Sequence, residues 1–205
     1  LERSTPEAQG IPSRAIDEFL DAVRDANIDL HSLVVIRHGH EVAAGWWAPY
    51  RRSDLVLKYS ISKSFTSTCI GIAAAAGLLS IDDPARSFLP DEASAHAGPR
   101  ARSLTVRHLL SMATGHEEDT IPRLDRDDPV ASFFALEPEA VPGTLFTYNN
   151  GATLLLSAII TAVTGDRLLD FAGPHLLGPL GASAAHWDTA GPYDAGFSGL
   201  HIDTD

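Results

Sequence analysis

Between Ser13 and Asn27 the apolar residues Ile16, Phe19, Leu20 and Val23 recur at helical spacing, separated by charged residues. That period predicts an amphipathic helix with Ser13 as its cap. The pattern then changes. Ser32-Leu33-Val34-Val35-Ile36-Arg37 is rich in β-branched residues, His38-Gly39-His40 reads as a tight turn, and Glu41 to Trp47 is a second extended run. Strand, turn and strand predict a hairpin. Trp46 and Trp47 fall on opposite faces of its second strand, which puts one indole in a core and the other at the surface. From Ser60 to Gly77 the period is helical again, with Phe65, Cys69, Ile72 and Ala76 on one face and Gly77 as the stop. Asp82-Asp83-Pro84 opens a short element. Leu104 to Thr114 predicts a helix capped by Thr105 and closed by Gly115, and an acidic loop follows from His116 to Pro129. Pro142-Gly143-Thr144 turns the chain into Phe146-Thr147-Tyr148-Asn149-Asn150-Gly151. Ala152 to Thr164 is a strongly apolar helix ending at Gly165, and Leu168 to Leu177 is a further helix before the Gly178-Pro179-Leu180-Gly181 turn. Phe197 to Asp205 begins another element.

Strands come first and helices crowd the middle, which is an α+β layout. We expect one domain over 1–205, with an α/β part over 1–80, a helical part over 81–165 and a return segment over 166–205. Two strands make a poor sheet, because a lone hairpin is only marginally stable. The chain therefore lacks sheet partners.

Composition narrows the function classes. The 205 residues are 44% hydrophobic and 20% charged, which is globular. The net charge is −12 with scattered acids, and no basic stripe offers a nucleic-acid surface. The apolar run from Cys69 to Leu79 is too short for a membrane span. Cys69 is the one cysteine, so no intrachain disulfide can form, and it reads as a small buried hydrophobe. No export signal opens the chain at Leu1, so a cytoplasmic location is expected.

The basic residues carry more information. Of 15, only Lys58 and Lys63 are lysines, and both lie in Lys58-Tyr59-Ser60-Ile61-Ser62-Lys63-Ser64-Phe65. Lysine can give up its proton when desolvated, whereas arginine stays charged. If Ser60 opens the helix, its side chain and that of Lys63, three residues on, share the first turn. Lys63 could then take the Ser60 hydroxyl proton, with the helix dipole favouring the developing charge. Spacing alone equally admits a helix-capping Ser60 beside a solvated Lys63. Tyr148-Asn149-Asn150 has the same two readings. The phenol can relay a proton and the second amide can hold a lysine and a substrate carbonyl, or Asn-Asn-Gly is simply a turn.

Taken together, these stretches resemble the serine β-lactamase and penicillin-binding protein superfamily, in particular its class C-like hydrolases and esterases. Ser60-Ile61-Ser62-Lys63-Ser64-Phe65 is similar to the family's S-x-S-K-S/T-F, and Tyr148-Asn149-Asn150 to its Y-x-N. Gly77 to Pro84, Leu104 to Gly115, Pro142-Gly143-Thr144 and Ser157 to Gly165 fit in the expected order. The resemblance implies an α/β/α sandwich with an antiparallel sheet and a helical subdomain. It also implies a serine hydrolase acting through an acyl-enzyme on an ester, amide or lactam carbonyl of a small-molecule or short peptide-like substrate. Ser60 would be the nucleophile, Lys63 and Tyr148 the proton-transfer groups, and Asn150 would orient Lys63 and the substrate. The Ser60 backbone N–H would be one oxyanion donor. No cofactor is implied.

The chain departs from the family at its third motif, K-T-G or H-x-G on a late strand, which has no counterpart here. Gly115 and Gly165 follow threonines at helix ends, and His38-Gly39-His40 precedes the nucleophile. We therefore expect the N-terminal part of a longer hydrolase, with its C-terminal strands absent. A polypeptide ending at Asp205 would have a half-built oxyanion hole and weak turnover. Its exposed sheet edge would invite pairing with a second copy or with the missing part. The alternative is a non-catalytic or slowly acylating penicillin-binding-type module. Esterase or amidase activity is favoured over dedicated β-lactam hydrolysis.

Other candidates carry less. His38 and His40 lack the carboxylate spacing of a metal site, so no metal is expected. His116-Glu117-Glu118-Asp119 is no H-E-x-x-H and reads as a solvated loop, placed by the resemblance near a pocket mouth. Arg51-Arg52 reads as solvated.

Overall fold

The computed structural model describes residues 1–89, 95–182 and 184–203. The expectations for Thr204 and Asp205 lie outside these. The chain divides into two units, Leu1–Val56 with Asp203, and Leu57–Ile202.

In the first unit, β1 (Glu2–Arg3) precedes α1 (Ser13–Asp25), β2 (Ser32–Arg37) and β3 (His40–Trp46). The sheet order is β1-β3-β2. The β2–β3 hairpin pairs Ser32 with Trp46 and has a register irregularity between Val35 and Ile36. The edge strand β1 runs parallel to β3 and gives the hairpin a short third strand that the sequence pattern did not predict. Ser13 is the first helical residue, not the cap. Pro12 holds the cap position, and the Ser13 N–H donates instead to Glu7 Oε1 at 2.8 Å. Arg52 is not simply solvated: its guanidinium lies 5.1 Å from the Trp46 ring centroid and donates to Glu41 Oε2 at 3.2 Å. Trp46 is only half-buried and Trp47 is exposed, so neither indole sits in a core.

The chain passes between the units at β4 (Val56–Leu57). A 3₁₀ turn, Tyr59–Ile61, then leads into α2 (Ser62–Ala75). α3 (Pro99–Arg102), α4 (Val106–Leu110), α5 (Pro129–Ala135), α6 (Asn150–Thr164) and α7 (Leu168–Ala172) follow. A π-helical turn, Gly173–Leu177, carries the chain into α8 (Gly178–Leu180). It is placed where Pro174 lacks the N–H that would continue the ladder. The end of the unit pairs β5 (His186–Trp187) with β8 (Leu200–Ile202) and β6 (Thr189–Ala190) with β7 (Tyr193–Asp194), both antiparallel.

The core forms around α6, which packs against α2, α4 and α7. Every residue from Gly151 to Ile160 is buried, as suits a helix that is apolar on all sides. Asp194 is buried with them and is satisfied by Arg167 and by the Leu169 N–H.

The buried face of α2 differs from the apolar stripe. Ala76 is exposed, while Ser62, Thr66, Cys69, Ile70 and Ala73 are buried. The two polar members are allowed inside because the return segment satisfies them. Thr66 Oγ1 donates to the Gly196 carbonyl at 2.7 Å, and the Leu200 N–H donates to Ser62 Oγ at 3.2 Å. Cys69 is fully buried, and burial pushes its thiol pKa up to about 12.

α4 stops at Leu110, short of the predicted Thr114, because Met112 takes a left-handed conformation at φ 52°. Its Thr105 cap is present as expected, in a capping box with His108. α5 begins where the stretch read as loop ends and was not predicted, although Asp128 caps it and Pro129 opens it. Among the described residues no single helix is long and apolar enough to cross a membrane.

Candidate active site

Ser60 sits in the 3₁₀ turn just before α2, not within the α-helix itself. Tyr59 precedes it with φ at 45°, a conformation strained for a bulky residue. This sharp turn leaves Ser60 exposed at the N-terminal end of α2. Its backbone N–H has no partner among the described residues.

Lys63, one turn on, donates from Nζ to Ser60 Oγ at 3.1 Å and to the Phe197 carbonyl at 2.7 Å. The second bond ties α2 to the return segment. That segment is itself held by Trp187, whose indole N–H is shared between the Ala195 and Ser198 carbonyls. Gly196 lets it approach closely: a methyl group there would lie 3.1 Å from Thr66 Oγ1 and 3.2 Å from the Thr153 carbonyl.

Tyr148 arrives from the loop before α6. Its hydroxyl donates to Ser60 Oγ at 2.8 Å, and Lys63 Nζ lies 4.7 Å from its ring centroid. Burial acts to raise the phenol pKa. Hydrogen bonding with Lys63 and Ser60 and the Lys63 charge outweigh that, against some opposition from Asp119, and hold it below the ordinary tyrosine value.

The loop is aimed by its neighbours. The Thr147 N–H donates to the Met112 carbonyl at 3.0 Å, and the Gly143 N–H donates to the Ala113 carbonyl at 2.7 Å. Asn149 is fully buried and caps α6, its Oδ1 accepting from the Ala152 N–H at 3.2 Å and from Thr120 Oγ1 at 2.8 Å. Gly151 is required behind it, since a methyl there would collide with Thr120 Oγ1.

Asn150 does not hold Lys63 by any hydrogen bond among the described residues. Its side-chain Nδ2 donates to Asp119 Oδ2 at 2.6 Å, and its backbone N–H donates to Asp119 Oδ1 at 2.8 Å. The Phe197 carbonyl takes the lysine-anchoring place that the sequence suggested for Asn150. Ser60, Lys63 and Tyr148 thus converge, and Asn150 stands beside them on an Asp119 anchor.

Two participants were missed. Asp119 lay in the acidic His116–Asp119 run and could have been noticed as a carboxylate near the Y-x-N loop. The Phe197 carbonyl is backbone and leaves no mark in side-chain chemistry. His116 is not solvated but fully buried. Phe197 also lines a cavity of about 560 Å³ with Ile121, Pro122, Leu124 and Leu154. Among the described residues no group of three or more His, Cys, Asp or Glu side chains could hold a metal ion.

A sequence model of the Beta-lactamase family matches residues 14–204. Among solved structures, the Pseudomonas syringae β-lactamase/D-alanine carboxypeptidase superposes with a TM-score of 0.74 at 22% identity, over 92% of this chain and 60% of that one. The class C β-lactamase of Rhodobacter sphaeroides gives 0.74 at 21% identity, over 94% and 62%. The octameric penicillin-binding protein homologue of Pyrococcus abyssi gives 0.70 at 20% identity, over 93% and 53%. The chain thus has this α+β fold and spans little more than half the length of these proteins.

Proposed function

From the premise that the chain belongs to the Beta-lactamase family, we propose that it carries the acylating site of a serine hydrolase. Ser60 attacks an ester, amide or lactam carbonyl, and its hydroxyl proton passes to the Tyr148–Lys63 pair. The Oγ–carbon bond forms as the carbonyl electron pair moves onto oxygen, to which the Ser60 N–H, without a partner among the described residues, can donate. Collapse expels the leaving group, which takes its proton from Tyr148. Water then attacks the acyl carbon as its proton passes to Tyr148, and Ser60 Oγ leaves as that proton returns to it. Asn150, anchored by Asp119, faces the substrate. Phe197, whose carbonyl anchors Lys63, also lines the cavity of about 560 Å³, and a small-molecule substrate is the class we propose.

One observation carries this reading. Ser60 Oγ lies 2.8 Å from the Tyr148 hydroxyl and 3.1 Å from a Lys63 amine that the Phe197 carbonyl fixes. A solvated first-turn lysine, the bland alternative, would have no such backbone anchor. As for assembly, the Pyrococcus abyssi homologue is octameric, so association with further copies is the partner we propose.

Intact mass after exposure to a fluorophosphonate tests the site. The expected result is one adduct on Ser60, absent in Ser60→Ala and slowed about 10²-fold or more in Tyr148→Phe, in line with loss of a general acid–base group. Lys63→Arg should abolish labelling, because arginine remains charged and its planar fork does not match the two acceptors. Equal labelling of the Ser60→Ala chain would refute the assignment. An adduct with a penicillin probe that never turns over would favour the slowly acylating module.

A further inference from the structure

His116 is fully buried, and its ring packs edge-on against Phe133 with centroids 5.3 Å apart. Both ring nitrogens are engaged. Nε2 lies 3.1 Å from the Leu136 carbonyl and Nδ1 lies 3.0 Å from Thr114 Oγ1. A carbonyl can only accept, so Nε2 carries the hydrogen. In a neutral ring Nδ1 is then an acceptor, and the Thr114 hydroxyl donates to it. Thr114 Oγ1 in turn accepts from Asn149 Nδ2 at 3.4 Å. That fixes which way the Asn149 amide faces, and it leaves Oδ1 to accept from Thr120 and from the Ala152 N–H. Asn149 lies between Tyr148 and Asn150. The donors run in one direction, from Asn149 through Thr114 to His116, and every group finds a partner.

We propose that His116 is a positioning residue: its neutral imidazole orients Thr114 and Asn149, and through them aims the Tyr148 hydroxyl at Ser60. This rests on Tyr148 acting at Ser60. A proton on Nδ1 would turn the acceptor into a donor. The His116 N–H and Asn149 Nδ2–H would then both face Thr114 Oγ1, and the Thr114 hydroxyl would lose its acceptor. The cap on α6 would loosen, and Tyr148 with it. The charged groups acting on the imidazole are Glu137 and Glu139, which favour its protonation, and Arg123, which opposes it. Burial opposes it most, and the ring stays easier to deprotonate than an ordinary histidine.

The Tyr148 phenol reports the effect without any turnover. Its ultraviolet titration in the full chain, read as the difference from a Tyr148→Phe chain, should fall below the ordinary tyrosine range. His116→Phe and the isosteric Thr114→Val should each move that titration up by about tenfold in proton concentration. His116→Asn, which keeps an oxygen acceptor toward Thr114, should leave it near the parent. The acid limb of the fluorophosphonate labelling rate should also change in His116→Asn, whose side chain does not titrate, leaving only the limb set by the Tyr148–Lys63 pair. An unchanged Tyr148 titration in Thr114→Val, or an acid limb identical in the parent and His116→Asn, would overturn the proposal. A chain whose Ser60 never labels would defeat the hydrolase reading instead, and the tyrosine titration would still decide the role of His116.

Discussion

Helix α1 carries Ile16, Phe19, Leu20 and Val23 on one face and buries none of them fully, with Phe19 49% exposed. Helix α6 buries every residue from Gly151 to Ile160. Both follow from hydrophobic spacing, and the difference is in what meets each face. In the second unit α2, α4 and α7 close around α6. In the first unit Val42 is the one buried apolar residue among those described. There Leu20, Val23, Ile28, Leu30 and Trp47 line a groove of about 700 Å³. An amphipathic pattern specifies a helix and its inner side, but burial, and with it most of the stability, depends on a partner.

Paired truncations put that difference at risk. Leu155→Ala in α6 should cost about 2–5 kcal/mol, the range for emptying a closed core. Leu20→Ala in α1 should cost less, about 1 kcal/mol, because Leu20 is only partly buried and lines an open groove. Denaturant unfolding of the full chain, with the two variants side by side, measures both. Equal losses would mean that the α1 face is covered in solution.

Acid should separate the units next. His108 and His116, both in the second unit, are held below the ordinary histidine pKa. Burial is the main cause for each, and the Arg107 charge adds to it at His108. Each also uses Nδ1 as an acceptor, at His108 from the Thr105 N–H at 3.2 Å. As pH falls below the ordinary value of about 6.5, the unfolded chain takes up these protons before the folded one. The stability they contribute is therefore full above that pH and is lost as pH falls toward the folded values. The carboxylates held low, Glu7, Asp82 and Glu139, titrate below this window and leave it to the histidines. The denaturant midpoint should drop between pH 7.5 and 5.5, and less so in a His108→Asn, His116→Asn chain. A midpoint flat across that range in the parent would contradict the acceptor assignments.

The site was more legible than its supports. Ser60, Lys63 and Tyr148 could be picked out because side-chain chemistry at fixed spacing carries them. Among the described residues Asn150 makes no hydrogen bond to Lys63 because a carboxylate, Asp119, competes for its amide, and such a competitor appears only when distant loops meet. The Phe197 carbonyl and the Ser60 N–H are backbone groups, which sequence cannot distinguish. In the fold, helices with long apolar runs were visible. α5 was hidden because its seven residues follow an acidic loop, and β1 because two residues have no periodicity. The inner face of α2 was rotated by Ser62 and Thr66, polar residues whose partners lie more than a hundred positions away.

The smallest expected effect concerns the helix caps. Thr105 Oγ1 accepts from the His108 N–H at 3.4 Å and its own N–H donates to His108 Nδ1, so both ends of a capping box are made. Ser13, predicted as the cap of α1, makes no cap bond. Pro12 stands in that place and Glu7 supplies the acceptor from outside. Thr105→Ala should therefore cost about 1 kcal/mol, the usual value for a lost cap. Ser13→Ala should stay within about 0.5 kcal/mol, because its hydroxyl meets only the solvent-exposed Glu7 carboxylate and makes no cap bond. The two serve as controls for each other, since both remove a hydroxyl at a helix start. If Ser13→Ala cost as much as Thr105→Ala, the bond from Ser13 to the exposed Glu7 carboxylate would have to be worth as much as a helix cap. The contrast between a closed second unit and an open first one would then not extend to their helix ends.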